Sequence, residues 1–177
     1  QVSFLTMARA KDLVPPEFIA GWKWFQDRAN TVISNLPMGA YAPANLPLRL
    51  TRQAGIHSPR YPELQSKGAG KRKYVLSIHS GSARYDDKEL FWREDGTWIL
   101  DYRSQKAEVG RRGSPHFNEE MMNNLRDGIP VGVMVKQPQG GYLVCGLGFV
   151  EQYNHATDSF IVHGPVNERT EEEGFFS

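Results

Sequence analysis

Between Pro15 and Leu36 the apolar residues Phe18, Ile19, Trp22, Phe25, Ala29, Val32, Ile33 and Leu36 recur at spacings of three and four. One stripe of a helix has that period, so the spacing predicts a long N-terminal helix over residues 15–36. Pro15 and Pro16 suit its first turn, where an N–H has no intrahelical partner, and Asn35-Leu36 before Pro37 marks its end. After a Pro-rich connector the pattern changes. Lys73–Ser80, Phe91–Tyr102, Val131–Val135, Tyr142–Val150 and Ser159–His163 are short, rich in β-branched and aromatic residues, and bounded by Gly, Pro, Asn or Asp. These are predicted strands.

Gly140-Gly141 and the stretch Asn154–Asp158 separate consecutive strands as hairpin turns do. Between the strands, Phe117, Met121, Met122 and Leu125 have helical spacing, and Gly128 follows as a left-handed C-cap, which predicts a short inserted helix. The expected class is α+β: a long N-terminal helix beside a curved, predominantly antiparallel β-barrel. Residues 1–48 are expected to form a helical extension and connector, residues 49–166 the main domain, and residues 167–177 an acidic tail or linker.

The 177 residues fit one domain. No apolar run is long enough for a membrane helix, and no basic segment followed by an apolar stretch opens the chain, so a soluble, cytoplasmic protein without a membrane partner is expected. Cys145 is the one cysteine, which excludes an internal disulfide and any zinc site built on paired thiolates. Net charge is +1, from 21 Lys and Arg against 20 Asp and Glu, but its distribution is uneven. Arg49, Arg52, Arg60, Lys67, Lys71, Arg72 and Lys73 crowd one stretch beside the lone acid Glu63, whereas Glu168, Glu171, Glu172 and Glu173 crowd the end. One face is expected to be positive.

Enzyme signatures are missing: there is no GxSxG elbow, no GxxxxGK[ST] loop and no HExxH. No catalytic residue, cofactor or metal is therefore assigned. His57, His79, His116, His155 and His163 are scattered without paired ligand spacing, and Cys145 lies within a strand pattern, where buried inert thiols are usual. Asp86, Asp87 and Glu89 supply the hard oxygens that a magnesium-dependent nuclease uses, and a solvated turn is the simpler explanation.

The region from Gln53 to Arg103 is the most informative. It runs Gln53-Ala54-Gly55-Ile56-His57-Ser58-Pro59, then Tyr74-Val75-Leu76-Ser77-Ile78 with Ser80-Gly81, then Tyr85-Asp86-Asp87, then Asp95-Gly96 and a strand ending Asp101-Tyr102-Arg103. Further on come Asn123-Asn124-Leu125, Gly128-Ile129-Pro130-Val131-Gly132-Val133 and Gly141-Tyr142-Leu143-Val144. In this order the segments resemble the SRA (SET- and RING-associated, or YDG) domain, whose members read AGIH-P, YS-I--SG, GYEDD, a strand ending YTG, N-AL, GKPVRV and DGIYKV. The resemblance spans roughly Arg52 to Val162. Its wording is nearer to bacterial relatives, in which such a domain precedes an HNH nuclease in modification-dependent restriction enzymes. No HNH motif is present in this chain.

The resemblance implies a PUA-like barrel that binds duplex DNA carrying 5-methylcytosine or 5-hydroxymethylcytosine and turns the modified base into a pocket. Such a pocket needs flat side chains to replace lost stacking and a carboxylate to accept from the cytosine amino group. Tyr85 and Tyr102 match the two family aromatics, with Ser80 and Gly81 beside them. Asp87 or Asp86 matches the carboxylate, because the residue that the family places between the tyrosine and its acids is missing. His57, Arg60, Lys71, Arg72, Lys73 and Arg103 would face the phosphates. Any homodimer is expected to form through domains beyond this chain. A PUA-like reader of modified RNA, a metal-dependent nuclease using Asp86, Asp87 and Glu89, and a protein-interaction domain are the rival readings.

Overall fold

In the computed structural model, the described residues are 7–46, 48–53, 55–59, 72–81, 89–103 and 115–166. The chain opens with α1 (Met7–Lys11) and α2 (Pro16–Asp27). Pro16 occupies the first turn of α2 as expected, and Phe18, Trp22 and Phe25 are buried. The helix ends nine residues short of the predicted Leu36, because Arg28–Asn30 form a turn in which Asn30 takes φ 64°. Asparagine tolerates this left-handed conformation well. The β-branched run that follows becomes a strand, β1 (Thr31–Ile33), which pairs antiparallel with residues 142–144.

The remaining strands are β2 (Gly55–His57), β3 (Ser77–Ser80), β4 (Glu89–Trp92), β5 (Trp98–Arg103), β6 (Val131–Lys136), β7 (Tyr142–Asn154) and β8 (Ser159–Gly164), with α3 (Pro115–Asp127) before β6. The predicted strand over residues 91–102 is two strands. Asp95 accepts hydrogen bonds from the Thr97 N–H at 3.0 Å and its hydroxyl at 2.6 Å, closing a turn between β4 and β5. The predicted strand from Lys73 enters the sheet ladder only at Ser77. Val75 instead bonds to a side chain of α3, described below.

Both predicted hairpins are present, joining β6 to β7 and β7 to β8. The sheet order is β2-β3-β6-β7-β8-β5-β4, with β1 on β7. The sheet is predominantly antiparallel, as expected, with β3 and β6 as a parallel pair, and the expected barrel is corrected: among the described residues the path ends at β2 and β4 without closing. Parallel neighbours need a long crossover, here the stretch that contains β4, β5 and α3. The 13-residue β7 serves both halves of the sheet: register shifts opposite Val133/Met134 and after Val150 let it leave β6 and continue along β8.

Two buried clusters cover opposite faces. On one, Phe18, Trp22 and Phe25 of α2 pack with Leu50, Leu76, Leu147 and Phe149. The Phe25 ring lies so close to Gly132 of β6 that a Cβ there would collide with it. On the other, Ile56, Ile78, Trp98, Leu100, Tyr102, Val133, Phe160 and Val162 pack with Met121 of α3. Among the described residues, no helix is long and apolar enough to cross a membrane.

Candidate functional site

Strand β5 alternates buried and less buried positions, with Trp98, Leu100 and Tyr102 turned to the second cluster and Ile99, Asp101 and Arg103 away from it. Tyr102 is 2% exposed, opposite Phe160 of β8, whose ring is tilted against Tyr153 at 4.9 Å. Its aromatic plane is thus set by a packed sheet. Trp98 is anchored on the same face by its indole N–H, which donates to the Cys145 carbonyl at 3.0 Å.

Ser80 is buried at the end of β3, beside Val135 of β6. Gly81 follows with φ 133°, and a Cβ there would collide with Lys136. A left-handed conformation and a close strand neighbour together require glycine, which gives the Ser-Gly segment a structural reason. Tyr85, Asp86, Asp87, Arg60 and Lys71 lie outside the described residues. Glu89 opens β4 opposite Asp101, the neighbour of Tyr102. Among the described residues, no group of three His, Cys, Asp or Glu side chains could hold a metal ion. Burial pushes the Cys145 thiol up to about 12, so it stays protonated and unreactive.

The expected phosphate-facing residues divide. Lys73 and Arg103 are exposed. Arg72 is engaged: its guanidinium meets both Asp127 carboxylate oxygens, at 2.9 and 3.1 Å, and the Tyr74 hydroxyl donates to Asp127 at 2.6 Å. The pair offsets an acid at a helix C-terminus, where the macrodipole disfavours negative charge. His57 Nε2 donates to the Arg49 carbonyl at 3.0 Å. Burial, against that hydrogen bond and with help from the Arg52 and Arg49 charges, holds its pKa down at about 4. At neutral pH it is an uncharged ring. His79 on β3 is likewise held below its ordinary range, chiefly by burial, and its ring meets Tyr142 edge-on at 5.1 Å.

Asn124 is the supporting residue that sequence reasoning left without a role. Its Oδ1 accepts from the Val75 N–H at 2.8 Å, and its Nδ2 donates to the carbonyls of Val75 at 2.9 Å and Ile129 at 3.2 Å. One side chain replaces a strand partner for Val75 and ties α3 to the segments entering β3 and β6. A signal was present: Asn124 falls three residues after Met121, on the apolar stripe of the helix, where a polar residue needs a specific partner.

No family model matches the chain, and no curated protein matches it. Solved structures do. The SUVH5 SRA domain in complex with hemimethylated CG DNA is similar over 65% of this chain and 75% of that one, at 14% identity and a TM-score of 0.38. The SUVH5 SRA domain bound to fully hydroxymethylated CG DNA is similar over 63% of this chain and 72% of that one, at 16% identity and 0.36. Arabidopsis thaliana SUVH6 in complex with SAM is similar over 71% of this chain but 24% of its own, at 20% identity and 0.35. Likeness at these scores assigns no residue.

Proposed function

We propose that this chain is a non-catalytic SRA-type module that reads modified cytosine, 5-methyl or 5-hydroxymethyl, in duplex DNA by receiving the turned-out base in a pocket. What supports the reading is the ordered set of segments from Gln53 to Val144, taken with the position of Tyr102. That ring is held by the sheet on the side of the second cluster. Asp87 precedes Glu89 by two residues, and Glu89 pairs with Asp101 beside Tyr102. In the proposal, Tyr102 and Tyr85 stack on the base, Asp87 or Asp86 accepts from its amino group, and Ser80 and Gly81 shape the entry. A carboxylate acceptor favours cytosine, whose Watson–Crick edge offers a donor.

Lys73, Arg103, Arg60 and Lys71 would contribute sequence-independent phosphate attraction, and Arg72 would do so while holding Asp127. The bacterial wording of the segments also supports a place as the recognition part of a larger modification-dependent endonuclease, with cleavage by an HNH domain outside this chain. The test is a titration at fixed salt against matched duplexes that differ at one cytosine: unmodified, 5-methyl and 5-hydroxymethyl. Tighter binding of a modified duplex is expected, with loss of that preference in Tyr85→Ala. Equal binding of all three would refute base reading, and preference for single-stranded RNA would favour the RNA-reader alternative.

A further inference from the structure

Strand β4 ends the sheet path, and its Phe91 and Trp92 are 58% and 43% exposed. The Arg93 N–H donates to the Thr97 carbonyl at 2.8 Å on the β5 side. Antiparallel ladders alternate, so positions 89, 91 and 93 aim their backbone groups at β5, while Leu90 and Trp92 aim theirs at the outer edge. Among the described residues no strand pairs with that edge, and an edge with aromatic residues is a template for another strand unless something blunts it.

The sequence of this edge, Glu-Leu-Phe-Trp-Arg, is self-complementary. About a two-fold axis at Phe91, an antiparallel second copy sets Leu90 across from the partner copy's position 92. The outward backbone groups of both then exchange hydrogen bonds. Phe91 meets its own copy at a position without backbone bonds, where side chains approach most closely. The acid of position 89 falls opposite the base of position 93 twice over. Neighbouring registers lose this match: centred on Leu90, position 89 faces Phe91, and centred on Trp92 it faces Asp95. We propose that two copies of this chain associate through β4 in the register centred on Phe91. The proposal does not rest on the nucleic-acid reading. One short strand pair buries a small interface, so the dimer is weak and concentration-dependent.

Sedimentation equilibrium of the whole chain, from low to high micromolar concentration, tests this. A reversible monomer–dimer equilibrium is expected. Arg93→Glu and Glu89→Arg should each weaken it by about tenfold or more, since each opposes like charges twice across the axis. The double variant Glu89→Arg with Arg93→Glu should recover the parent value to within about threefold. Arg93 also meets His163 Nε2 at 3.4 Å, so His163→Ala, which removes that contact together with the one from His163 Nδ1 to Glu151 and leaves Glu89 and Arg93 in place, should leave dimerisation unchanged. A chain that is monomeric throughout, single variants without effect, a double variant without recovery, or a His163→Ala loss as large as that of Arg93→Glu would overturn the proposal.

Discussion

Phe25 and Tyr102 are aromatic residues buried against opposite faces of one sheet, and their surroundings differ in kind. Phe25 belongs to a helix laid on the sheet, seated on Gly132 among aliphatic and aromatic neighbours. Tyr102 belongs to the sheet itself. Its cluster is flanked by a side-chain clamp from Asn124 and by Ser80, at the exit of the chain toward residues 82–88. The first face stabilises by burial. The second combines burial with a buried amide whose hydrogen bonds are spent on the backbone of the segments entering β3 and β6.

The two faces are separable by mutation. Phe25→Ala should have the largest effect, a loss of about 3 to 5 kcal/mol from truncating a fully buried ring, read as a lower urea midpoint. In the proposed function, the fraction still folded should keep its preference among duplexes. Asn124→Ala should cost about 2 to 4 kcal/mol, because it strands three buried backbone groups, and should speed amide exchange at Val75. Loss at only the level of a surface substitution would show that Met121 packing and the Asp127 contacts hold α3 without the Asn124 clamp.

Acid should sharpen the contrast at the β2 end. The folded His57 titrates at about 4 against an ordinary 6.5, so between these values the unfolded chain binds the proton and the folded chain does not. The contribution of His57 to stability is therefore constant above about pH 6.5, falls as pH drops toward 4, and loses at most about 3 kcal/mol. His79, lowered in the same direction, adds to the slope. His57→Gln should flatten the decline, as measured by urea denaturation across that range. The smallest stability effect is expected for Arg72→Ala, about 1 kcal/mol from loss of a partly exposed pair, and any weakening of DNA binding should be about equal for modified and unmodified duplexes.

The helix of residues 16–27, the inserted helix and both hairpin turns were legible because each rests on local signals: 3.6-residue periodicity, a Pro at the start, a Gly at the end. The ends of segments were less so. Val32, Ile33 and Leu36 continue the helical spacing, but the left-handed Asn30 and pairing with β7 prevail, a tertiary contact that periodicity does not carry. The open sheet and the parallel β3–β6 pair depend on which strands meet across long separations, and no local pattern encodes that. For the site, ordered motifs singled out Tyr102, Ser80 and Gly81, whereas the engagement of Arg72 with Asp127 and the neutrality of His57 follow only from their neighbours in space.

Substituting Tyr102 by Leu tests the central claim most directly, because it keeps most of the buried volume and removes the ring. With folding checked by near-ultraviolet circular dichroism, the ratio of affinities for 5-methylcytosine and unmodified duplexes would be measured for the parent, Tyr102→Phe and Tyr102→Leu. Tyr102→Phe should keep the parent ratio, and Tyr102→Leu should lose roughly 5- to 150-fold of affinity for the modified duplex, the worth of one stacked base. A folded Tyr102→Leu that keeps the parent ratio would contradict the account.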